Sequence, residues 1–472
     1  MELQYRGSGK AYLNETEYRC DLYYNEKQGG IILKINVKNE KTLGNFLQVP
    51  LEIPHLCGQL ENGFKFTLLQ LRRTNMEDLI SYGMTVFTFI AEYILCGVIG
   101  EENCEQAFYK VDFTLSDIIE WGEESAFAIG EKFEMFSKSG DIQKNIYSGK
   151  GVCINYLVHG SMLPVVDYEL LKERIEIEQH GIVEISFENE EKIEKFITIF
   201  EKLKRLIEIA SFRKVNVEKV SACSKDIVYA IGEKNIERPI EVYGRDIQEY
   251  KPDVSVKSRR WKWISLSELI MQKAFEHYFD KQSMLEPIIE LFLEPFYVEY
   301  SSETRVFLNI VQALETYHSR FITNNFEKYK ERVENLVKAY SAEKGEELRC
   351  FLMAKSKNFI TLESRLSDLL YAKGEIYFDT GEIKRNEFPA VIAHTRNYYI
   401  HYDELIKEKH RVLTEEELQY YNRSLLQMLE YYILLELGFT DSNVVKKKIT
   451  ERWGKVSQDL EILRMSREKA SS

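Results

Sequence analysis

The hydrophobic pattern of this chain switches to a sustained helical period at about residue 264, and that change constrains the fold more than any other feature. Up to about residue 250 apolar residues alternate, and from about residue 264 they recur at helical spacing. In GGIILKINV (29–37), Leu33, Ile35 and Val37 share one face while Lys34 and Asn36 take the other. FKFTLLQL (64–71) alternates through Phe64, Phe66 and Leu68. GVCINYLV (151–158) and GIVEISFE (181–188) are further strand-length runs bounded by Gly, Asn or Ser. Short strands with turn signals between them predict a sandwich or barrel-like sheet rather than βαβ units. One helix belongs with them, over 188–211, where Ile193, Phe196, Ile197, Phe200, Leu203 and Ile207 fall on one stripe. DIVYAIG (226–232) and IEVYG (240–244) read as two more strands.

The second half predicts helices joined by short connections, and therefore a bundle. They run over 265–279 from a Ser265 cap, over 304–322, 326–340 and 362–373, over 389–406 with Pro389 suited to the first position, and over 415–438 ending at Gly438. The expected class is α+β. A β-rich domain (1–250) precedes a basic connector and helix (251–298), an all-α bundle (299–442) and a tail helix (443–472).

Charge narrows the partners. Lys and Arg number 63 against 76 Asp and Glu, a net charge of −13, the wrong sign for coating nucleic acid. Any RNA contact must come from a local patch. KPDVSVKSRRWKW (251–263) offers one, with Lys257, Arg259, Arg260 and Lys262 interleaved with Trp261 and Trp263. The same stretch also suits a connector whose tryptophans pack on the bundle. Lys446, Lys447, Lys448, Arg452, Trp453 and Lys455 read as a solvated helix face. The tyrosine pairs 398–399, 420–421 and 431–432 read as core and dimer packing. Seven scattered cysteines without a CxxC predict neither a disulfide framework nor a zinc ribbon. The run 83–100 is long enough for a membrane span, but Glu92 and three glycines favour buried strands. With no apolar leader in MELQYRGSGK, the expectation is a cytoplasmic protein with no membrane partner.

Phosphate-binding, nucleophile-elbow and zinc-protease signatures are absent from the sequence, so no metal and no cofactor is expected. What stands out is AHTRNYYIHYD, which holds Arg396-Asn397-x-x-x-His401. On a helix Asn397 and His401 lie about 40° apart and Arg396 and His401 about 140° apart, so they can flank one groove. His394 lies seven residues before His401, on nearly the same face. A neutral imidazole can move a proton at cellular pH, and an arginine forks onto phosphate oxygens. Together they suit phosphodiester cleavage through a ribose 2′-hydroxyl. Arg396 and His401 could equally pair with Glu404 or a neighbouring helix.

Over about 300–440 the chain resembles the HEPN superfamily, in particular Apea-like HEPN domains of bacterial antiphage proteins. FLNIVQALETYHSRF (307–321) and TRNYYIHYD (395–403) carry the resemblance. More weakly, ILCGVIGEENCEQAFYKVDFTLSDIIEWG (94–122) resembles the β-rich domain that precedes HEPN in ApeA-type defence proteins. The resemblance implies a homodimer or higher homo-oligomer whose motifs share a cleft. It implies a metal-independent endoribonuclease that leaves a cyclic phosphate and a 5′-hydroxyl. His401 would be the acid/base, Arg396 would contact the scissile phosphate and Asn397 would orient the site. Glu315, Tyr317 and His318 on the facing helix, with His394, would support them. The expected role is an antiphage effector, restrained until a phage-derived trigger is sensed, that cleaves RNA (tRNA being one candidate) and aborts infection. The alternative is a non-catalytic HEPN scaffold that binds RNA or a partner. A third reading is a carbohydrate- or peptide-binding protein with a helical dimerisation domain.

Overall fold

A computed structural model describes residues 6–13, 16–25, 30–38, 49–98, 106–116, 118–131, 135–138, 142–163, 176–231, 234–244, 247, 264–297, 301–322, 325–339, 344–354, 361–371 and 378–471. The chain divides into two units, Met1–Ile207 with Val215–Lys257, and Glu208–Lys214 with Ser258–Ser472.

In the first unit, β1 (Gly7–Leu13), β2 (Thr16–Asn25), β3 (Gly30–Lys38), β4 (Glu52–Leu60), β5 (Lys65–Leu79) and β6 (Met84–Cys96) are antiparallel neighbours in the order β6-β3-β2-β1-β4-β5. Pairing of β5 with β6, from Phe66 opposite Cys96 to Leu79 opposite Met84, closes them into a six-stranded barrel. The alternation read in 29–37 and 64–71 points Leu33, Ile35, Phe66 and Leu68 into its core, where Phe87 and Phe89 join them. The apolar run 83–100 therefore contributes β6 to the barrel, with Glu92 exposed. Among the described residues no helix is long and apolar enough to cross a membrane.

The upper end of β6 also pairs with β16 (Ile240–Gly244), Tyr93 to Leu95 against Gly244 to Val242. From there an antiparallel sheet runs through β13 (Val217–Cys223), β7 (Ala107–Leu115), β12 (Glu176–Lys192), β11 (Val152–Leu163) and β10 (Ile142–Gly149). β10 carries a bulge between Asn145 and Tyr147. Two small hairpins, β8 (Phe127–Ile129) with β9 (Met135–Ser137) and β14 (Val228–Ile231) with β15 (Lys234–Glu237), complete the strands described. A short turn of helix, α1 (Ile119–Gly122), seats Trp121 edge-on to Tyr156. The long helix α2 (Ile193–Ser211) buries its predicted stripe against the sheet. Phe200 stacks flat on Phe113 at 3.8 Å and Phe196 meets Phe187 edge-on at 4.9 Å.

The second unit is helical: α3 (Leu266–Met271), α4 (Ala274–Tyr297), α5 (Glu303–Phe321), α6 (Asn325–Ala339), α7 (Gly345–Ala354), α8 (Leu362–Tyr371), α9 (Phe388–His401), α10 (Glu404–Lys409), α11 (Glu415–Glu436), α12 (Ser442–Trp453) and α13 (Val456–Ser471). α11 is its central rod. Leu418, Tyr421, Leu425, Met428, Tyr431 and Ile433, spread round its circumference, are all buried, as a helix packed on several sides requires.

Three expectations need correction. The helix read over 265–279 is two, because Lys273 takes φ +53 between α3 and α4. The tail is also two helices, broken at Gly454 with φ +75. Nor is it a wholly solvated face. Val445, Ile449, Arg452 and Val456 return every three or four residues to one buried side, leaving Lys446, Lys447 and Lys455 outside. Arg452 pairs there with Glu430 of α11, whose carboxylate also accepts from Trp453 Nε1. The basic, tryptophan-bearing stretch 251–263, with Lys257, Arg259, Arg260, Trp261, Lys262 and Trp263, lies outside the described residues. Among the described residues Cys20, Cys57, Cys96, Cys153, Cys223 and Cys350 form no disulfide.

Candidate functional site

Arg396, Asn397 and His401 all lie on α9, and the local sequence sets where that helix stops. Pro389 sits in its first turn, where a missing N–H costs nothing. Tyr402 leaves the helix at φ +50, its N–H donating back to the Tyr398 carbonyl at 2.6 Å. Asp403 then caps α10 through the Leu405 N–H at 3.0 Å. The single helix expected over 389–406 is thus two, and His401 is the exposed last residue of the first.

The opposite side of α9 is anchored. Thr395 is fully buried, and its hydroxyl donates to the Val391 carbonyl while accepting from Leu413 N–H. The Tyr399 hydroxyl donates to the Leu413 carbonyl at 3.1 Å. This fixes the helix about its own axis, so Arg396 and Asn397 stay half-buried on the other side.

Arg396 Nη1 donates to Asn397 Oδ1 at 3.2 Å, and Nη2 lies 3.9 Å from Glu315 Oε2 on α5. The other oxygen of Glu315 lies 3.9 Å from Arg365 Nε on α8. Arg365 Nη1 reaches His318 Nδ1 at 3.4 Å, and His318 Nε2 meets Asp368 Oδ2 at 3.0 Å. Three helices thus bring Arg396, Asn397, Glu315, His318, Arg365 and Asp368 into one polar group. Burial holds the His318 imidazole below its ordinary range, against the pull of Asp368.

Two expected supporting residues go elsewhere. His394 stacks on His410 at 3.8 Å, and burial, helped by His410, lowers its pKa. Tyr317 faces the core, its ring stacked on Phe321 and tilted against Tyr432 at 4.8 Å, with its hydroxyl donating to Glu436 at 2.8 Å. Arg365 and Asp368 were not anticipated from the sequence. Their one signal is a three-residue spacing in SRLSD, beside the buried Leu366, Leu369 and Leu370.

Among the described residues no three His, Cys, Asp or Glu side chains converge as metal ligands would. What the group offers is a guanidinium for an anionic oxygen, an amide beside it, and an exposed imidazole about 7.5 Å further along the helix axis.

Residues 308–443, which include the helix carrying Arg396, Asn397 and His401 and the two helices that bring Glu315, His318, Arg365 and Asp368 beside it, match the Apea-like HEPN family model. Residues 7–278, more than half of the chain, match the model of ApeA N-terminal domain 1. The chain belongs to the ApeA-type HEPN family. No curated protein and no solved structure matches it.

Proposed function

We propose that this protein is a metal-independent endoribonuclease acting in antiphage defence. The observation that carries the reading is the pairing of a phosphate-competent Arg396, held by Asn397 and Glu315, with an exposed His401 on the same helix. Membership of a family of HEPN defence proteins supports it.

The chemistry balances without an added group. Neutral His401 takes the proton of a ribose 2′-hydroxyl, whose oxygen attacks the adjacent phosphorus. The bond from phosphorus to the 5′-oxygen breaks, and that oxygen takes a proton from a second, protonated imidazole, His401 of another copy, which is left neutral. The products are a 2′,3′-cyclic phosphate and a 5′-hydroxyl. Arg396 stabilises the charge that builds on the phosphoryl oxygens, and Asn397 orients it. Ile400, Tyr402 and Leu405 are exposed around His401, Tyr402 at 64%, and supply apolar surface for a second copy. The β-rich unit is the natural site for sensing a phage-derived trigger, and cleavage of host RNA would abort the infection. Lys257, Arg259, Arg260, Trp261, Lys262 and Trp263 remain candidates for RNA contact.

A second reading has its own observation. Arg396 already has protein partners in Asn397 and Glu315, as a residue of a binding scaffold would. Cleavage of total RNA and tRNA in EDTA, by wild type beside His401→Ala, separates the two. Cyclic-phosphate ends from wild type alone support the enzyme. Equal cleavage by both, or none even with extract of phage-infected cells added, overturns it.

A further inference from the structure

We propose that Arg365 is a positioning residue for Arg396: it shares the Glu315 carboxylate with it, so that Arg396 can leave for the substrate phosphate without stranding a negative charge. The proposal rests on the ribonuclease reading above.

Glu315 sits between two cations, 3.9 Å from Arg396 Nη2 and 3.9 Å from Arg365 Nε. Neither distance is a hydrogen bond, so the carboxylate is poised between the two rather than committed to one. If Arg396 were its sole partner, swinging that guanidinium onto a phosphate would leave the Glu315 carboxylate, 37% exposed, without a cation beside it, a cost that solvent offsets only in part. Arg365 removes that cost because it stays behind.

Arg365 is built to stay. Its side chain is 16% exposed, and its Nε is buried with no hydrogen-bond partner among the described residues, open to Glu315. Its other end is fixed by His318. A guanidinium only donates, so its 3.4 Å contact needs a lone pair on His318 Nδ1. The ring proton then sits on Nε2 and donates to Asp368 Oδ2 at 3.0 Å. His318 is thereby one tautomer of a neutral ring, 2% exposed, and burial lowers its pKa in the sense this arrangement needs. Among the described residues, the charged groups that act on it are Asp368 and Arg365 from α8 and Glu315 from its own helix. With the ring neutral, Arg396, Arg365, Glu315 and Asp368 sum to zero.

The test is single-turnover cleavage of total RNA in EDTA by the full chain, with extract of phage-infected cells added where the purified protein is silent. Arg365→Met leaves Glu315 to clamp Arg396 and should slow cleavage about 100-fold, with RNA binding little changed. Adding Glu315→Gln removes the clamp and should restore most of that loss, a rescue that a merely structural arginine would not show. Arg365→Gln, which can still donate to His318 but carries no charge, should lose as much as Arg365→Met and serves if the methionine variant does not fold. Wild-type rates in these single variants, or no rescue by Glu315→Gln, overturn the proposal while the enzyme reading stands. Absence of cleavage by wild type, or equal cleavage by Arg396→Ala, overturns both.

Discussion

Thr395 and Leu413 close the loop that follows the motif. The Leu413 N–H donates to Thr395 Oγ1 at 3.0 Å, and one turn further along α9 the Tyr399 hydroxyl takes up the carbonyl of the same leucine. The segment from Tyr402 to Leu413, α10 included, is therefore tied at both polar atoms of one peptide residue to the helix that carries Arg396 and His401. Thr395→Val keeps the shape and removes the acceptor, leaving the Leu413 N–H buried and unpaired. It should cost about 1–3 kcal/mol, read as a lower midpoint in thermal or urea unfolding. Tyr399→Phe should cost about 1 kcal/mol in the same assay.

Alanine at Arg396 or His401 should reduce RNA cleavage by about 10²- to 10⁴-fold, the range in which a positioned acid/base or charge-stabilising group usually counts. His401 is exposed, so its loss should leave the melting temperature unchanged. Circular dichroism beside the cleavage assay checks both halves, and a His401→Ala protein that cuts at the wild-type rate would refute the assignment.

Glu430 and Arg452 are both wholly buried. Arg452 also donates to the Ala210 carbonyl, and its guanidinium lies 5.0 Å from the Phe212 ring centre. Arg452→Met leaves a buried carboxylate whose remaining partner is the Trp453 indole, and should destabilise by about 3–5 kcal/mol. Removing both charges, with Glu430→Gln added, should recover much of it, since a buried pair costs nearly as much to desolvate as it returns. Denaturant unfolding of the two variants side by side decides this.

In the sheet of the first unit, burial pushes the Asp112 carboxyl up to about 6, the neighbouring Lys110 offsetting only part of the effect, and Asp112 Oδ1 has no partner among the described residues. A carboxyl raised above its unfolded value binds more protons folded than unfolded between about pH 4 and 6. Its contribution to stability is therefore lost as pH rises through that window. Asp112→Asn should stabilise the protein by about 1–2 kcal/mol at pH 7.5, and the gain should vanish towards pH 4. Unfolding midpoints across that range test the sign, and a variant less stable than wild type at pH 7.5 would contradict it.

Local patterns were legible in the sequence, and long-range pairings were not. Leu33, Ile35 and Val37 announce a strand, and Phe307, Ile310, Val311 and Leu314 a helix, because each pattern is written in neighbouring residues. Whether the strands form a sandwich or a barrel depends on β5 returning to β6 and on β16 meeting β6 from some 150 residues away, registers that no local window records. Arg396, Asn397 and His401 stood out as a motif. Arg365 and Asp368 did not, since an arginine and an aspartate three residues apart look like any surface ion pair. Arg452 misled for the same reason, its burial being decided by Glu430, 22 residues earlier. The end of α9 was missed because apolar spacing continues through Ile406, whereas the Asp403 cap acts by hydrogen bonding and leaves no trace in hydrophobicity.

The closed barrel also bears on how this protein avoids pairing with copies of itself. An open sheet ends in unpaired N–H and C=O groups that will accept a strand from any neighbouring chain. Closure of β5 onto β6 removes that hazard for six strands together. In the large sheet it leaves β10 as the one free edge among the described residues. That edge is blunted. The bulge between Asn145 and Tyr147 interrupts its ladder, and Lys144 is drawn inward to Glu124 at 3.0 Å. Strand addition to the large sheet therefore has a single, interrupted edge to start from among the described residues.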